Sequence, residues 1–395
     1  MANTLQSEYP TPGSLVMPTP HAFKVAFGDD PTKAYVMSQS LGMRRVDVST
    51  VTSGTAAVGA PALLNAYGGI FEHNTETGSV GDVTGQDHAY GVALYGKYAI
   101  VADGDNGITV YDTTATAGTT ASVVANIGDS LGTTGKPPLG RVATVKLWAD
   151  VANQKAYAVT ASGAFGISVV DMTAFFTSGL PQDLGIDKLI KTFEPVKSDA
   201  DNAFGSADGK SVDVHIVGDI AYFSYDSFGL VAYRMSDLIR PATEERPAIN
   251  PTPEICATIT DVTKLSAKQG GVGECRPTAV GYFKLQKYGE VVDATGVVVT
   301  PSVYADVDGG ALYMTSQVFP TVYRDAAGQV VTQDKPRLLF YVGYGAAGVV
   351  KLDWSDVAKP KLMDIKGVIG GASATAINNG RVYVAAGAGG LTVLK

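Results

Sequence analysis

"YAIVADGDNGITVYD" (Tyr98–Asp112) reads as a short apolar run, a polar turn of Asp, Gly and Asn, and a second apolar run closing on Asp. Alternating apolar residues bounded by turn formers read as two strands of a hairpin. The pattern returns at "AYVMSQSLGMRRVD" (34–47), "AYAVTASGAFGISVVD" (156–171), "AYFSYDSFGLVAYR" (221–234), "LFYVGYGAAGVVKLD" (339–353) and "VYVAAGAGGLTVLK" (382–395). A glycine opens each second strand: Gly42, Gly107, Gly166, Gly229, Gly348 and Gly390. Glycine gives the turn its freedom in φ. The closing Asp47, Asp112, Asp171 and Asp353 can accept from backbone amides as the chain leaves the strand.

The glycines are spaced by 65, 59, 63, 119 and 42 residues. Repeats at this period imply a solenoid or a β-propeller, with the long interval equal to two blades. "GITVYD", "GISVVD" and "GVVKLD" carry a "[LI]-x-[VI]-x-D"-like strand once per repeat. On these motifs the chain resembles the LVIVD-repeat β-propeller family. The resemblance runs over nearly the whole chain, although "GLVAYR" and "GLTVLK" lose the Asp. It implies a propeller of the kind found on secreted or surface proteins, without an assigned reaction.

With the quoted hairpins as strands B and C, strand A falls at 21–27, 88–94, 141–147, 211–217, 302–308 and 373–378. Strand D falls near 62–66, 121–127, 189–194, 255–260 and 361–366. The last repeat ends on a C strand, so "TLQSEY" (4–9) is expected to complete it and close the ring. Closure would remove an open sheet edge. The stretch 277–340 is irregular. Within it "ALYMTSQ" (311–317) looks like another B strand, and "TVYRDAAGQVV" (321–331) like a hairpin turning at 326–328. The reading is therefore one all-β propeller domain over 1–395 with four antiparallel strands per blade. Residues 1–20 are a Pro-rich lead with the closing strand, and 261–340 an irregular blade or insertion. Seven blades fit the spacing, and six with an inserted hairpin fit nearly as well.

Bulk properties exclude some functions. The chain of 395 residues is 45% hydrophobic and 17% charged, as expected when most strands are buried on both faces. A net charge of −8 argues against nucleic acid as a partner, since phosphates need clustered Lys and Arg. No apolar run is long enough to make a transmembrane segment. "MANTLQSEYPTPGSL" has neither a basic segment nor an apolar h-region, so no signal peptide is present in this sequence. Abundant Ala, Gly, Thr and Val with few Lys still favour an extracytoplasmic protein whose signal was replaced by Met-Ala. Cys256 and Cys275 would fit one disulfide, worth roughly 3 kcal/mol by loop entropy, and such bonds persist outside the cytoplasm. Two unrelated thiols are the alternative.

By strand alternation the D–A and B–C connections share one face, and the D–A connections are long. Long loops on a rigid scaffold are where binding is usually built. At the starts of the A strands stand His21, His88, Arg141 and Lys210. Ringing the mouth of a channel, they could bind an anion or a metal ion. Asp87 could orient the His88 imidazole, and His73 could join. Copied repeats would also explain the histidines, and a metal needs three or four ligands. One parity of the A strands places Lys24, Thr144, Lys146, Asp213 and His215 toward the axis. Asp213 and His215 at i, i+2 share a face and could act as acid and base. Asp103 and Asp105 of "DGDNG" are the oxygen type that hard cations take, although a B–C turn explains them equally.

"GDSL" (128–131) matches a hydrolase signature by letter, but no His follows His215 to serve it. There is no Gly-x-Ser-x-Gly elbow, phosphate loop or haem motif. The expectation is a scaffold binding a protein or a cell-surface or matrix component, with no cofactor unless a metal ion sits at the mouth. One rival is a hydrolase or lyase using His21 and His88. Another is a structural surface-layer module.

Overall fold

A computed structural model describes residues 24–37, 42–47, 62–67, 89–104, 107–114, 123–127, 139, 141–163, 166–178, 189–193, 210–240, 277, 279–325, 327–378 and 380–394. Six antiparallel meanders follow one another among them. The first is β1 (Lys24–Phe27), β2 (Lys33–Met37), β3 (Met43–Asp47) and β4 (Ala62–Tyr67). The second is β5 (Gly91–Tyr95), β6 (Tyr98–Ala102), β7 (Ile108–Asp112) and β8 (Val123–Ile127). The third is β9 (Thr144–Asp150), β10 (Lys155–Ala161), β11 (Ile167–Asp171) and β12 (Leu189–Phe193). The fourth is β13 (Asp213–Val217), β14 (Ile220–Tyr225), β15 (Gly229–Arg234) and β16 (Gly281–Phe283). A hairpin of β17 (Val291–Val292) and β18 (Val298–Thr300) precedes the fifth sheet. The fifth runs from β19 (Met314–Phe319), past a second hairpin of β20 (Val322–Arg324) and β21 (Val330–Thr332), to β22 (Arg337–Gly343), β23 (Val349–Asp353) and β24 (Lys361–Lys366). The sixth has β25 (Ala374–Asn378), β26 (Arg381–Ala385) and β27 (Leu391–Leu394).

Each quoted hairpin is thus the second and third strand of a sheet, as the repeat implies. The opening glycines all have positive φ, from 67° to 111°. At Gly348 a Cβ would also lie 2.2 Å from the Lys366 carbonyl oxygen, at the end of the fourth strand. Three of the closing aspartates tie their own sheet together. Asp47, Asp112 and Asp353 bind Lys33, Lys97 and Arg337 at 2.8, 2.8 and 2.7 Å. The other oxygen of Asp112 accepts from the Thr114 amide at 2.8 Å, and Asp171 and Asp353 accept likewise from Thr173 and Ser355. The motif is a structural clasp.

Two expectations fail. Residues 302–308 run through turns, and the first strand of the fifth sheet is Met314–Phe319, so "ALYMTSQ" feeds an inner strand and is not a second strand. The outer strand of the fourth sheet is Gly281–Phe283, whereas the expected 255–260 lies outside the described residues. The hairpin at 321–331 is present, with Asp325 accepting the Ala327 and Gln329 amides at 2.9 Å.

Successive sheets stack face to face through five apolar clusters. Tyr35, Met37 and Met43 meet Ala99 and Val101, and Ile100 and Val110 meet Val145 and Ala158. Val159 and Val169 meet Phe223 and Tyr233. Tyr222 meets Phe340 and Trp354, their rings 4.7 and 5.0 Å from its own, and Val349 meets Val382 and Val384. The second-to-third-strand turn of one sheet also bridges to the entry of the next: Gly104 to Val142, Gly163 to Ser211, Asp226 to Ala311 and Gly345 to Ala372. These turns and entries therefore share one end, as alternation requires. The inner strands curve about an axis, since Lys24 of the first sheet reaches Asp213 of the fourth. This is the arrangement of a propeller. At the two ends of the stack apolar side chains stay exposed: Val25 and Phe27 (53% and 58%) on the first sheet, and Leu391 (53%) on the sixth.

Candidate functional site on the inner strands

Period-two alternation sends Thr144 and Lys146 of β9 to one side, and Asp213 and His215 of β13 to one side. The structure brings them together with Lys24 of β1. The Lys24 ammonium lies 3.5 Å from Asp213 Oδ1 and 3.5 Å from the Thr144 hydroxyl. Asp213 Oδ2 accepts the Met314 amide of the fifth sheet at 3.0 Å. One carboxylate, its side chain 2% exposed, thus joins elements of three sheets. His215 Nε2 stands 4.0 Å from Asp213 Oδ2, and its Nδ1 3.4 Å from the Ser316 hydroxyl. Both oxygens of Asp213 are engaged elsewhere, so it acts on the imidazole by charge and not by a short hydrogen bond.

Burial and charge compete at each group. Burial pushes the Asp213 carboxyl up, but Lys24 foremost, with His215, the Met314 amide and Lys146, holds it below the usual value. Burial brings His215 down to about 4 against the pull of Asp213, with Lys146 and Lys24 adding to the fall. Burial and then Lys24 lower Lys146, while Asp213 opposes them. Tyr313 lies under the Lys24 ammonium, 5.1 Å from ring centroid to nitrogen, and burial raises its hydroxyl. Toward the turn-bearing end, the Arg141 guanidinium donates to the Tyr90 hydroxyl and sits 5.0 Å from the Tyr90 ring centroid.

A pH dependence follows. The unfolded imidazole titrates near 6.5 and the folded one near about 4. Between these values the unfolded chain binds more protons, so stability rises with pH. The His215 contribution is complete above pH 6.5 and is lost as pH falls through 4, to an extent on the order of 3 kcal/mol. Denaturant unfolding from pH 7.5 to 3.5 measures it. The difference between wild type and His215→Gln isolates this group, and parallel curves would refute the assignment.

Of the residues singled out in the sequence, the structure unites Asp213 and His215 and places Arg141 at the end of the same strand system. Lys210 is exposed, just before the Ser211 bridge. Asp103 is buried and accepts the Thr109 hydroxyl at 2.8 Å. His21, His73, His88, Asp87, Asp105, Cys256 and Cys275 lie outside the described residues. Among the described residues no three His, Cys, Asp or Glu gather as a metal set, and no helix is long and apolar enough to cross a membrane. Sequence reasoning did not find Tyr313, Ser316 or the Met314 amide. Their signal was the polar parity of "YMTSQ", legible only once that stretch is aligned as an inner strand.

No protein-family model matches the chain, and no curated protein matches it. Among solved structures it is similar to the computationally designed Ika8 protein, at TM-score 0.42 and 10% identity, covering 94% of this chain and 82% of that one. It is also similar to the WD40 β-propeller domain of Doa1, at TM-score 0.39 and 11% identity, covering 95% of this chain and 94% of that one.

Proposed function

We propose that the protein is an extracytoplasmic β-propeller scaffold that binds a protein or a cell-surface component through the end bearing the second-to-third-strand turns. The observation that carries this reading is the row of bridges from Gly104–Val142 to Gly345–Ala372, which gathers these turns and the entries of the inner strands at one end. The connections between sheets enter the inner strands at that same end, and loops carried at one end of a rigid scaffold are suited to recognition. The resemblance of "GITVYD", "GISVVD" and "GVVKLD" to the LVIVD-repeat strand supports it.

Photo-crosslinking tests the reading. A crosslinker replaces exposed Ser227 or Lys210 at the turn end, and Lys97 or Lys359 in the opposite connections. Incubation is with the isolated cell envelope of the producing organism. Adducts from Ser227 and Lys210 that unlabelled protein competes away, with none from the other two, are the expected result. Equal labelling from both ends would sink the idea. The extracytoplasmic setting predicts that denatured, unreduced protein offers no thiol to alkylation, through a Cys256–Cys275 bond. Two free thiols would argue against it.

In this reading the ring is six blades with two inserted hairpins, and the closing strand expected at residues 4–9 lies outside the described residues. The irregular 277–340 stretch supplies hairpins β17–β18 and β20–β21 beside one sheet, which favours six over seven. Deleting residues 1–9 is expected to lower the melting temperature and to promote aggregation through the bared edge. Unchanged melting and solubility would exclude this closure.

A further inference from the structure

The hairpin of β17 and β18 is fastened at both ends yet left bare among the described residues. At its base the Ser302 hydroxyl donates to the Tyr288 carbonyl at 2.7 Å. At its tip one oxygen of Asp293 accepts the Thr295 amide, the Thr295 hydroxyl and the Val297 amide, at 2.9, 2.7 and 3.0 Å. The two strands pair with each other and join no larger sheet. Every residue from Val291 to Pro301 is exposed, and Val291, Val292, Val297, Val298 and Val299 each show 44–58% of their surface. A two-stranded hairpin alone is at best marginally stable. Contiguous apolar surface of this kind marks an interaction site. The patch continues at the hairpin base into a cleft of about 570 Å³ lined by Tyr288 and Tyr304 and by Leu362 and Ile365 of β24.

Charge selects what covers it. Each chain carries a net charge of −8, so two copies repel unless they meet on a surface free of charge. No charged residue stands between Ala294 and Tyr304. β18 can therefore oppose its own copy. β17 lies between Glu290 and Asp293 and would set like charges against each other. We infer that a second copy of this chain covers the hairpin, with the β18 valines of the two copies packed about a two-fold axis. A two-fold contact uses the same patch on both partners, and homodimer contacts are the more apolar ones. The inference is independent of the partner-binding reading, which concerns the turn-bearing end and not this hairpin.

Sedimentation equilibrium of the purified full chain at pH 7, over a wide range of concentration, tests it. The expected result for wild type is a reversible equilibrium of monomer and dimer. Val299→Glu and Val299→Lys should each weaken dimerisation at least about tenfold, because like charges then meet across the axis. Mixed in equal amounts, the two variants should associate more tightly than either does alone. Both should keep the circular dichroism of wild type, since Val299 belongs to none of the five apolar clusters. Val298→Glu and Val298→Lys serve if either variant does not fold. Val330→Glu, at an equally exposed valine of the β20–β21 hairpin, should dimerise like wild type. A wild type that stays monomeric, an undiminished dimer in Val299→Glu or Val299→Lys, or no gain on mixing them would overturn the proposal. So would an equal loss in Val330→Glu, or growth beyond the dimer.

Discussion

Asp213→Ala is expected to lower the unfolding free energy by about 3–5 kcal/mol, the range for breaking a buried ionic contact from one side. The carboxylate is nearly sealed from solvent and serves the Lys24 ammonium and the Met314 amide at once. Removing it leaves a buried amide without an acceptor, and two ammoniums that repel each other with no anion between them. Asp213→Asn should cost less, because its carbonyl oxygen can still receive the Met314 amide while the charge is lost. Guanidinium unfolding at pH 7 orders the three proteins. A loss below about 1 kcal/mol in the alanine variant would mean that the cluster does not tie the first, third, fourth and fifth sheets together.

Gly348→Ala is expected to cost on the order of 3 kcal/mol, for two reasons that can be separated. Its φ of +92° lies where side chains are strained, and the new Cβ would sit 2.2 Å from the Lys366 carbonyl oxygen and 2.8 Å from the Gly367 Cα. Backbone cannot swing aside as a side-chain tip can. Gly380→Ala is the control for φ alone, since Gly380 has a φ of +70° and open space around it. It should lose only about 1 kcal/mol. Gly367→Ala, at ordinary φ and with open space, should be neutral or slightly stabilising. If Gly348→Ala costs no more than Gly380→Ala, the close approach of the fourth strand is not what demands glycine there.

Much of the fold was legible because its signals are local. The six hairpins carry their own turn glycine and, in four cases, their own closing aspartate, and each strand pair forms where the sequence places it. Five of the six inner strands follow for the same reason. The exception shows the limit. "SVYADVD" alternates as a strand should, yet the strand that pairs with Arg337–Gly343 lies beyond it, and a hairpin of its own separates the two partners. Alternation shows that a segment can be a strand but does not choose its neighbour. The outer strand Gly281–Phe283 is only three residues long, too short for any period to appear.

The site divides in the same way. Parity along β9 and β13 was enough to place Lys146, Asp213 and His215 on the axial side, because alternation is a property of one strand. Only the tertiary structure decided that Lys24 meets Asp213 across 189 positions of sequence and that the Met314 amide takes the second carboxylate oxygen. The physical reason is that local periodicity determines which way a side chain faces. Charge pairing in a buried space depends on how the sheets are stacked, through apolar clusters between residues far apart in the chain.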